Sequence, residues 1–267
     1  CPKIPTTRLQ HIFRQAGGND IADKAAKINQ GIVPSPIDGP NFHFIPFEEP
    51  EQAKRIIADL LATGVRSKID IDQKADLQIL TPMRKGPLGI FELNAFLQEL
   101  QNPGVARHRI MGVPWSDGDK VMQIKNNYQM KWKNLEDFTE GEGVFNGDVG
   151  FIQTIDREFN EMTVVYDETK HVTYNFSQLD ELELAYAVTV HKSQGSEFPV
   201  VIMPVSWFPP MLATRNLLYT GVTRGKKAVV LVGSENKLKG MVDNDRISER
   251  FSGLGVRLKR FLGMDHM

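Results

Sequence analysis

Apolar positions recur along this chain at two different spacings, and the change between them divides it. Ala22, Ala25, Ala26 and Ile28 fall at the three-to-four-residue spacing of a helix, capped at Asn19-Asp20 and stopped at Gly31. Pro34, Pro36, Gly39 and Pro40 then predict a loop. A second amphipathic helix covers Pro50 to Thr63, with Ala53, Ile56, Ile57, Leu60 and Leu61 on one stripe. Asp76 to Thr81 reads as a strand that ends at Pro82. A third helix begins near Leu88, aligns Leu93, Phe96, Leu97 and Leu100, and breaks at Asn102-Pro103-Gly104.

Between about Gly112 and Asp180 the texture changes to short β-rich runs: 120–124, 143–145, 150–155, 162–166 and 172–176. Turn clusters such as Phe145-Asn146-Gly147-Asp148 and Asp167-Glu168-Thr169 separate them. Strands so short and frequent predict a small bent sheet or barrel. Beyond it, Tyr186–Val190 and Val200–Pro204 read as buried strands, Met211–Thr223 as a helix, Ala228–Gly233 as another strand, and Glu235 onward as helical. The expectation is an α/β domain formed by 1–111 and 181–267, interrupted by a small β domain at 112–180. No internal repeat or low-complexity segment is present.

Composition adds mostly exclusions. At 267 residues, with 41% apolar and 24% charged residues, the chain has the make-up of a globular protein with a sizeable core. A net charge of -1 gives no global basic field, so any grip on nucleic acid must be local. A single cysteine, Cys1, rules out an internal disulfide framework, and the six His show no HExxH-type metal spacing. No apolar run reaches the ~20 residues of a membrane span. The opening Cys1-Pro2-Lys3-Ile4-Pro5 has neither an initiator Met nor a signal-peptide core, so a reducing cytoplasm and an excised piece of a longer protein are the expectations.

Five segments bear chemistry. Thr189-Val190-His191-Lys192-Ser193-Gln194-Gly195-Ser196-Glu197-Phe198 follows a buried strand with hydroxyl, amide and cationic donors. It reads either as a polar surface loop or as a phosphate-binding one. Leu217 to Lys227 closes a helix on Arg224, Lys226 and Lys227, which complement the helix dipole or present a guanidinium to a phosphoryl group. Leu9 to Ala16 carries Arg14 among apolar residues, a surface arginine or a functional one. Thr81-Pro82-Met83-Arg84-Lys85-Gly86 is either a plain strand-to-helix connection or a backbone-phosphate contact near a helix start. Asn126-Asn127-Tyr128 and the Asn146-Gly147 pair lie in the β region. The pair reads as a hairpin turn, and Asn and Tyr side chains there are also suited to stacking on single-stranded bases. A GxxxxGK[ST] phosphate loop is absent, so this chain by itself is not expected to hydrolyse ATP.

Together and in this order, these segments resemble the second motor domain of superfamily 1 helicases of the RecD-like group, the exodeoxyribonuclease V alpha-subunit type. Thr189–Phe198 is similar to that family's TxHKSQGSEF motif, Leu218–Lys226 to LYTxxTRxK and Leu9–Ala16 to LxxIFRQA. Thr81–Gly86 with Leu93-Asn94, Leu97-Gln98 and Asn102-Pro103 resembles TPMxxGxxGxxxLNxxLQxxxNP. Asp119–Gln123, Asn126–Tyr128 and Phe145–Gly150 resemble the barrel inserted in that domain.

The resemblance implies a RecA-like second motor domain of a P-loop helicase with an inserted small β-barrel, working on ATP with Mg²⁺. The phosphate loop and metal ligands are expected on a first motor domain upstream. Arg14 and Arg224 match the arginines that face the γ-phosphate, and Gly195, Glu197 and Gln15 match positions lining the nucleotide. Thr81, Pro82, Arg84, Thr189, His191, Lys192 and Ser193 are expected at the backbone of single-stranded DNA, with Asn127, Asn146 and Gly147 assisting from the barrel. Gly221 stands where the family commonly has a larger residue. The implied partners are single-stranded DNA, the first motor domain and repair or recombination proteins, in the bacterial cytoplasm without a membrane. The implied activity is 5′→3′ translocation and unwinding. Alternatives are the helicase part of a conjugative relaxase, or a non-catalytic DNA- or protein-binding module.

Overall fold

The structure is a computed structural model that describes residues 20–35, 39–63, 76–246 and 253–261. In chain order its elements are α1 (Asp20–Asn29), β1 (Phe42–Pro46), α2 (Pro50–Thr63), β2 (Leu77–Thr81) and α3 (Ile90–Gln101). Then come β3 (His108–Ile110), β4 (Val113–Trp115), β5 (Lys120–Gln123), β6 (Asn127–Asn134), β7 (Glu140–Val144), β8 (Val149–Asp156), β9 (Glu161–Tyr166), β10 (Lys170–Asn175) and β11 (Leu182–Leu184). The chain continues with β12 (Ala187–Thr189), β13 (Phe198–Pro204), α4 (Arg215–Val222), β14 (Gly225–Gly233), α5 (Glu235–Asp243) and α6 (Leu254–Phe261).

Five strands form an all-parallel sheet in the order β1-β14-β13-β2-β12. Its central strands are apolar at successive positions because both faces are covered. Val201, Met203, Val229 and Leu231 point to one face, where they meet Ile21 and Ile28 of α1, Leu218 and Val222 of α4, and Leu238 and Met241 of α5. Their neighbours Val200, Ile202, Ala228 and Val230 point to the other, against Ala53 and Ile57 of α2 and Leu93 and Leu97 of α3. The period-two alternation of a strand thus sorts one apolar run into two cores.

A separate antiparallel sheet runs β11-β5-β8-β9-β10-β6-β7. Trp115, Val121, Met130, Ile152, Val164, Val172 and Leu182 share its single core, so the sheet curls around them. Within that core the hydroxyls of Tyr166 and Tyr174 meet at 2.8 Å and Tyr174 donates to Gln123 Oε1 at 2.9 Å. The pairings among the described residues run in series from β11 to β7, with no ladder joining the two ends as a closed barrel would have. β11 carries this sheet past residue 180.

Two elements depart from expectation, and β1 is a strand that the sequence pattern does not predict. Met211–Thr223 is not one helix: a 3₁₀ turn at Pro210–Leu212 stops, and α4 starts afresh where Thr214 accepts a hydrogen bond from Leu217 N through its side chain. The Phe145–Asp148 turn is not a hairpin, because β7 pairs with β6 while β8 pairs with β5 and β9. The Asp167-Glu168 turn is one, with both residues at positive φ as a type I′ connection of β9 to β10 requires.

Candidate functional site

The register of the parallel sheet sets the geometry. Thr189 at the end of β12 lies beside Thr81 at the end of β2, both at the carboxyl edge. Phe198 at the start of β13 lies beside Gly225 at the start of β14, at the amino edge. The intervening segment, residues 190–197, therefore runs the length of the sheet, about 20 Å for the six strand steps from Phe198 to the level of Thr81 at ~3.3 Å each. Its two halves face different ends of the domain, and only the first lies at the carboxyl edge.

Local hydrogen bonds stiffen this connection. Lys192 N and Ser193 N both donate to Thr189 O, at 2.9 and 3.1 Å, and Ser196 N donates to Ser193 O at 3.1 Å. The Ser193 hydroxyl is wholly buried and donates to Val190 O at 2.8 Å. Gly195 sits at φ +94°, a conformation that a side chain would strain, with open space where a Cβ would be.

At the amino edge Arg224 is 6% exposed, just past the end of α4. Its guanidinium donates to Ser196 O at 3.0 Å, Thr220 O at 3.2 Å and Thr223 Oγ1 at 3.3 Å. Glu197 Oε2 pairs with Lys226 at 2.8 Å. Arg224 is thus brought from 28 residues away to the backbone of Ser196, between Gly195 and Glu197. Gly221 on α4 faces Met203: a Cβ there would come within 2.5 Å of its sulfur, so close helix–sheet packing accounts for the glycine.

At the carboxyl edge the expected set separates by exposure. His191 and Arg84 are exposed and Lys192 is half-buried. Thr81, Pro82, Thr189 and Ser193 are buried, and the Thr81 hydroxyl donates to Leu88 O at 2.7 Å. Glu183 of β11 joins the two cations, accepting from Arg84 at 2.7 Å and Lys192 at 2.6 Å. Burial pushes the Glu183 carboxyl up, but these hydrogen bonds outweigh it and hold it below its ordinary value. Composition gave no sign of Glu183, whose partners are distant in sequence.

In the inserted sheet Asn127 donates to Glu181 at 3.1 Å, and Asn146 N donates to Asn126 Oδ1 at 2.9 Å. A Cβ on Gly147 would lie 3.7 Å from Ser196 Oγ, so the turn abuts the 190–197 segment. Beside it the rings of Tyr128 and Phe145 meet edge to face at 5.6 Å, both exposed. Arg14 and Gln15 lie outside the described residues.

The polar row on α3 was present in the sequence, without its role being evident. Asn94, Gln98 and Asn102, at i, i+4 and i+8, are all buried. Asn94 bonds both backbone groups of Ala187, at 2.8 and 3.0 Å. Gln98 and Asn102 donate to the wholly buried Asp119 carboxylate at 2.6 and 2.9 Å, which Ser116 N and Tyr186 Oη also reach at 2.8 and 3.0 Å. Lys120 Nζ donates to Leu77 O at 3.1 Å. These bonds fasten the inserted sheet to the parallel one.

Residues 184–232 match the UvrD-like helicase C-terminal domain, and residues 93–166 match the ATP-dependent RecD-like DNA helicase SH3 domain. The chain is 34% identical over 230 residues to the ATP-dependent RecD2 DNA helicase of Deinococcus radiodurans, covering 86% of this chain and 29% of that protein. It is 29% identical over 182 residues to the RecBCD enzyme subunit RecD of Mycobacterium tuberculosis, covering 68% and 28% respectively. A Bacteroides Pif1 helicase solved with ADP-AlF3 and single-stranded DNA matches 97% of this chain and 57% of that one, at 18% identity and a TM-score of 0.49, a likeness too slight to bear on function. This chain thus spans well under a third of the length of these two curated relatives.

Proposed function

This chain belongs to the RecD-like helicases of superfamily 1, and from that premise we propose that it is the C-terminal motor portion of an ATP-driven 5′→3′ DNA helicase. Its substrates would be ATP and single-stranded DNA, and its work duplex unwinding in repair or recombination. Residues 1–111 and 181–267 would form the second motor domain, and 112–180 the inserted domain that helps hold the strand.

One observation carries this reading: segment 190–197 spans the sheet from the edge bearing His191, Lys192 and Arg84 to the edge bearing Glu197 and Arg224. A motor needs such a link, since closure around nucleotide must be felt where the strand is held. The chemistry present at the amino edge suits half of an ATP site. Arg224, joined by Arg14, would meet charge developing on the transferred phosphoryl group, and Glu197, Gly195 and Gln15 would border the rest of the nucleotide. The phosphate loop and the Mg²⁺ ligands would come from a first motor domain, the principal partner of this chain.

At the carboxyl edge the contacts would fall to His191, Arg84 and Lys192, with Thr81, Pro82, Thr189 and Ser193 holding the backbone beneath them. Asn127, Asn146 and Gly147 would bring the inserted sheet to the same strand. The test is ATP hydrolysis stimulated by single-stranded DNA, measured after this chain is joined to an upstream motor domain. The joined protein is expected to hydrolyse ATP and Arg224→Ala to abolish it. Hydrolysis by Arg224→Ala at the parental rate would refute the assignment.

A further inference from the structure

The carboxyl ends of β1, β2, β13 and β14 open onto a cleft of about 770 Å³ that none of the residues discussed so far as strand contacts lines. That volume falls in the range of clefts that hold small ligands, and the crevice outside the carboxyl ends of an open parallel sheet is where such folds bind them. Its walls carry Phe47, Met83, Trp207 and Phe208, with Lys85 and Lys237 alongside. Glu48 is the one acidic residue among the described lining.

Trp207 is the unusual member. It is 45% exposed and adopts φ +64°, a left-handed backbone that a bulky side chain occupies at a cost and only where its surroundings impose it. Here they do. The indole N–H donates to Glu48 O at 2.7 Å, Val205 N donates to Val232 O at 2.8 Å, and the neighbouring Ser206 Oγ accepts from Ser234 N at 2.9 Å. A large aromatic surface is therefore held at the cleft by its own bond to Glu48 O and by the bonds that fix the two preceding residues to the end of β14, where an unconstrained tryptophan would turn inward to bury its ring.

Lys85 adjoins Arg84 on the loop that follows Thr81, so the cleft continues the same sheet edge. Thr189 and Thr81 end the strands on one side of that edge and the cleft covers the other. The whole edge is about 19 Å wide for four inter-strand steps of ~4.8 Å, long enough for several nucleotides.

We propose that this cleft is a stacking subsite for one base of the single strand, with the base on Trp207 and the adjoining phosphates met by Lys85 and Lys237. The proposal rests on the reading of the chain as a strand-binding motor portion and adds a contact to it. An aromatic face with flanking cations is the pairing that holds single strands without regard to sequence.

The test is fluorescence anisotropy of this chain with labelled oligothymidylate, in which an abasic nucleotide is moved through each position. Trp207→Ala is expected to weaken binding about tenfold, the scale of one stacked base, while Trp207→Phe keeps most of the affinity. One abasic position should cost the parent a similar factor and cost Trp207→Ala nothing further, because both remove the same contact. The Lys85→Gln, Lys237→Gln pair should lower the dependence of log affinity on log salt by about two phosphates' worth. Full affinity in Trp207→Ala, or no abasic position coupled to it, overturns the subsite even if Arg84→Gln and His191→Ala weaken binding as the functional reading requires. A chain that binds no oligonucleotide at any salt concentration overturns both.

Discussion

Glu183 serves two cations at once, and its titration is the sharpest handle on the carboxyl edge. Because Arg84 and Lys192 hold its carboxyl below the ordinary value against the opposing effect of burial, the folded state binds that proton less readily than the unfolded chain does. The contribution is therefore complete at neutral pH, and it drains away as the pH falls from the ordinary glutamate range through the lowered value. Its scale at pH 7 is roughly 1 kcal/mol, since Arg84 is 46% exposed and solvent screens part-exposed pairs. Denaturant melts of the parent and Glu183→Gln, run from pH 7 to pH 3, are expected to differ by that amount at the upper end and to converge at the lower. A gap that does not change with pH would mean that the clamp contributes through shape alone.

At the scale of elements, α3 decides how the two sheets are joined. Its apolar stripe of Leu93 and Leu97 packs on the parallel sheet, while Asn94, Gln98 and Asn102 turn a second stripe to Ala187 and Asp119. A buried carboxylate is tolerated because four donors reach it. Asp119→Asn replaces one acceptor oxygen by a donor and sets N–H against N–H or O–H, at an expected cost of about 2–4 kcal/mol. Thermal or denaturant melting measures this, and a cost under half a kcal/mol would show that the junction does not depend on the carboxylate. Most helices and the parallel strands β2, β12, β13 and β14 were legible in the sequence, because a helix stripe and an apolar run each follow from burial of one stripe or two faces, whereas β1, only five residues long and ending in Pro46, was not. Nor was β6, although Tyr128, Met130 and Trp132 alternate with polar residues along it, because Met130 is its only buried residue and its asparagines and lysines give the run the look of a solvated segment. The polar row escaped for a related reason: three amides on a helix look solvated until the partner that buries them, here Asp119, is known. In the site the exposed cations were legible as chemistry, whereas the division of the set between two sheet edges required the strand register.

For the molecule as a whole, that division makes a distinguishable kinetic claim. If the carboxyl edge holds the strand and the amino edge meets the nucleotide, substitutions at the two edges must alter different parameters of one reaction. In this chain joined to an upstream motor domain, His191→Ala is expected to raise the DNA concentration for half-maximal stimulation several-fold, with a smaller effect on the maximal rate. Arg224→Lys keeps the charge and loses the planar fork now set on Ser196 O, so the maximal rate should fall by about 100-fold or more, with little change in the DNA requirement. The segment between them gives a third arm. Gly195→Ala strains the backbone at φ +94° without meeting any other atom of the chain, so beyond a direct effect on the nucleotide that Gly195 would border, what it changes passes along the segment itself. A link of this kind predicts that Gly195→Ala weakens the response of hydrolysis to DNA more than it weakens DNA binding, measured by anisotropy on the same protein. Parallel losses in all three variants would mean that the two edges are not separate sites, and the segment would then be a scaffold for one.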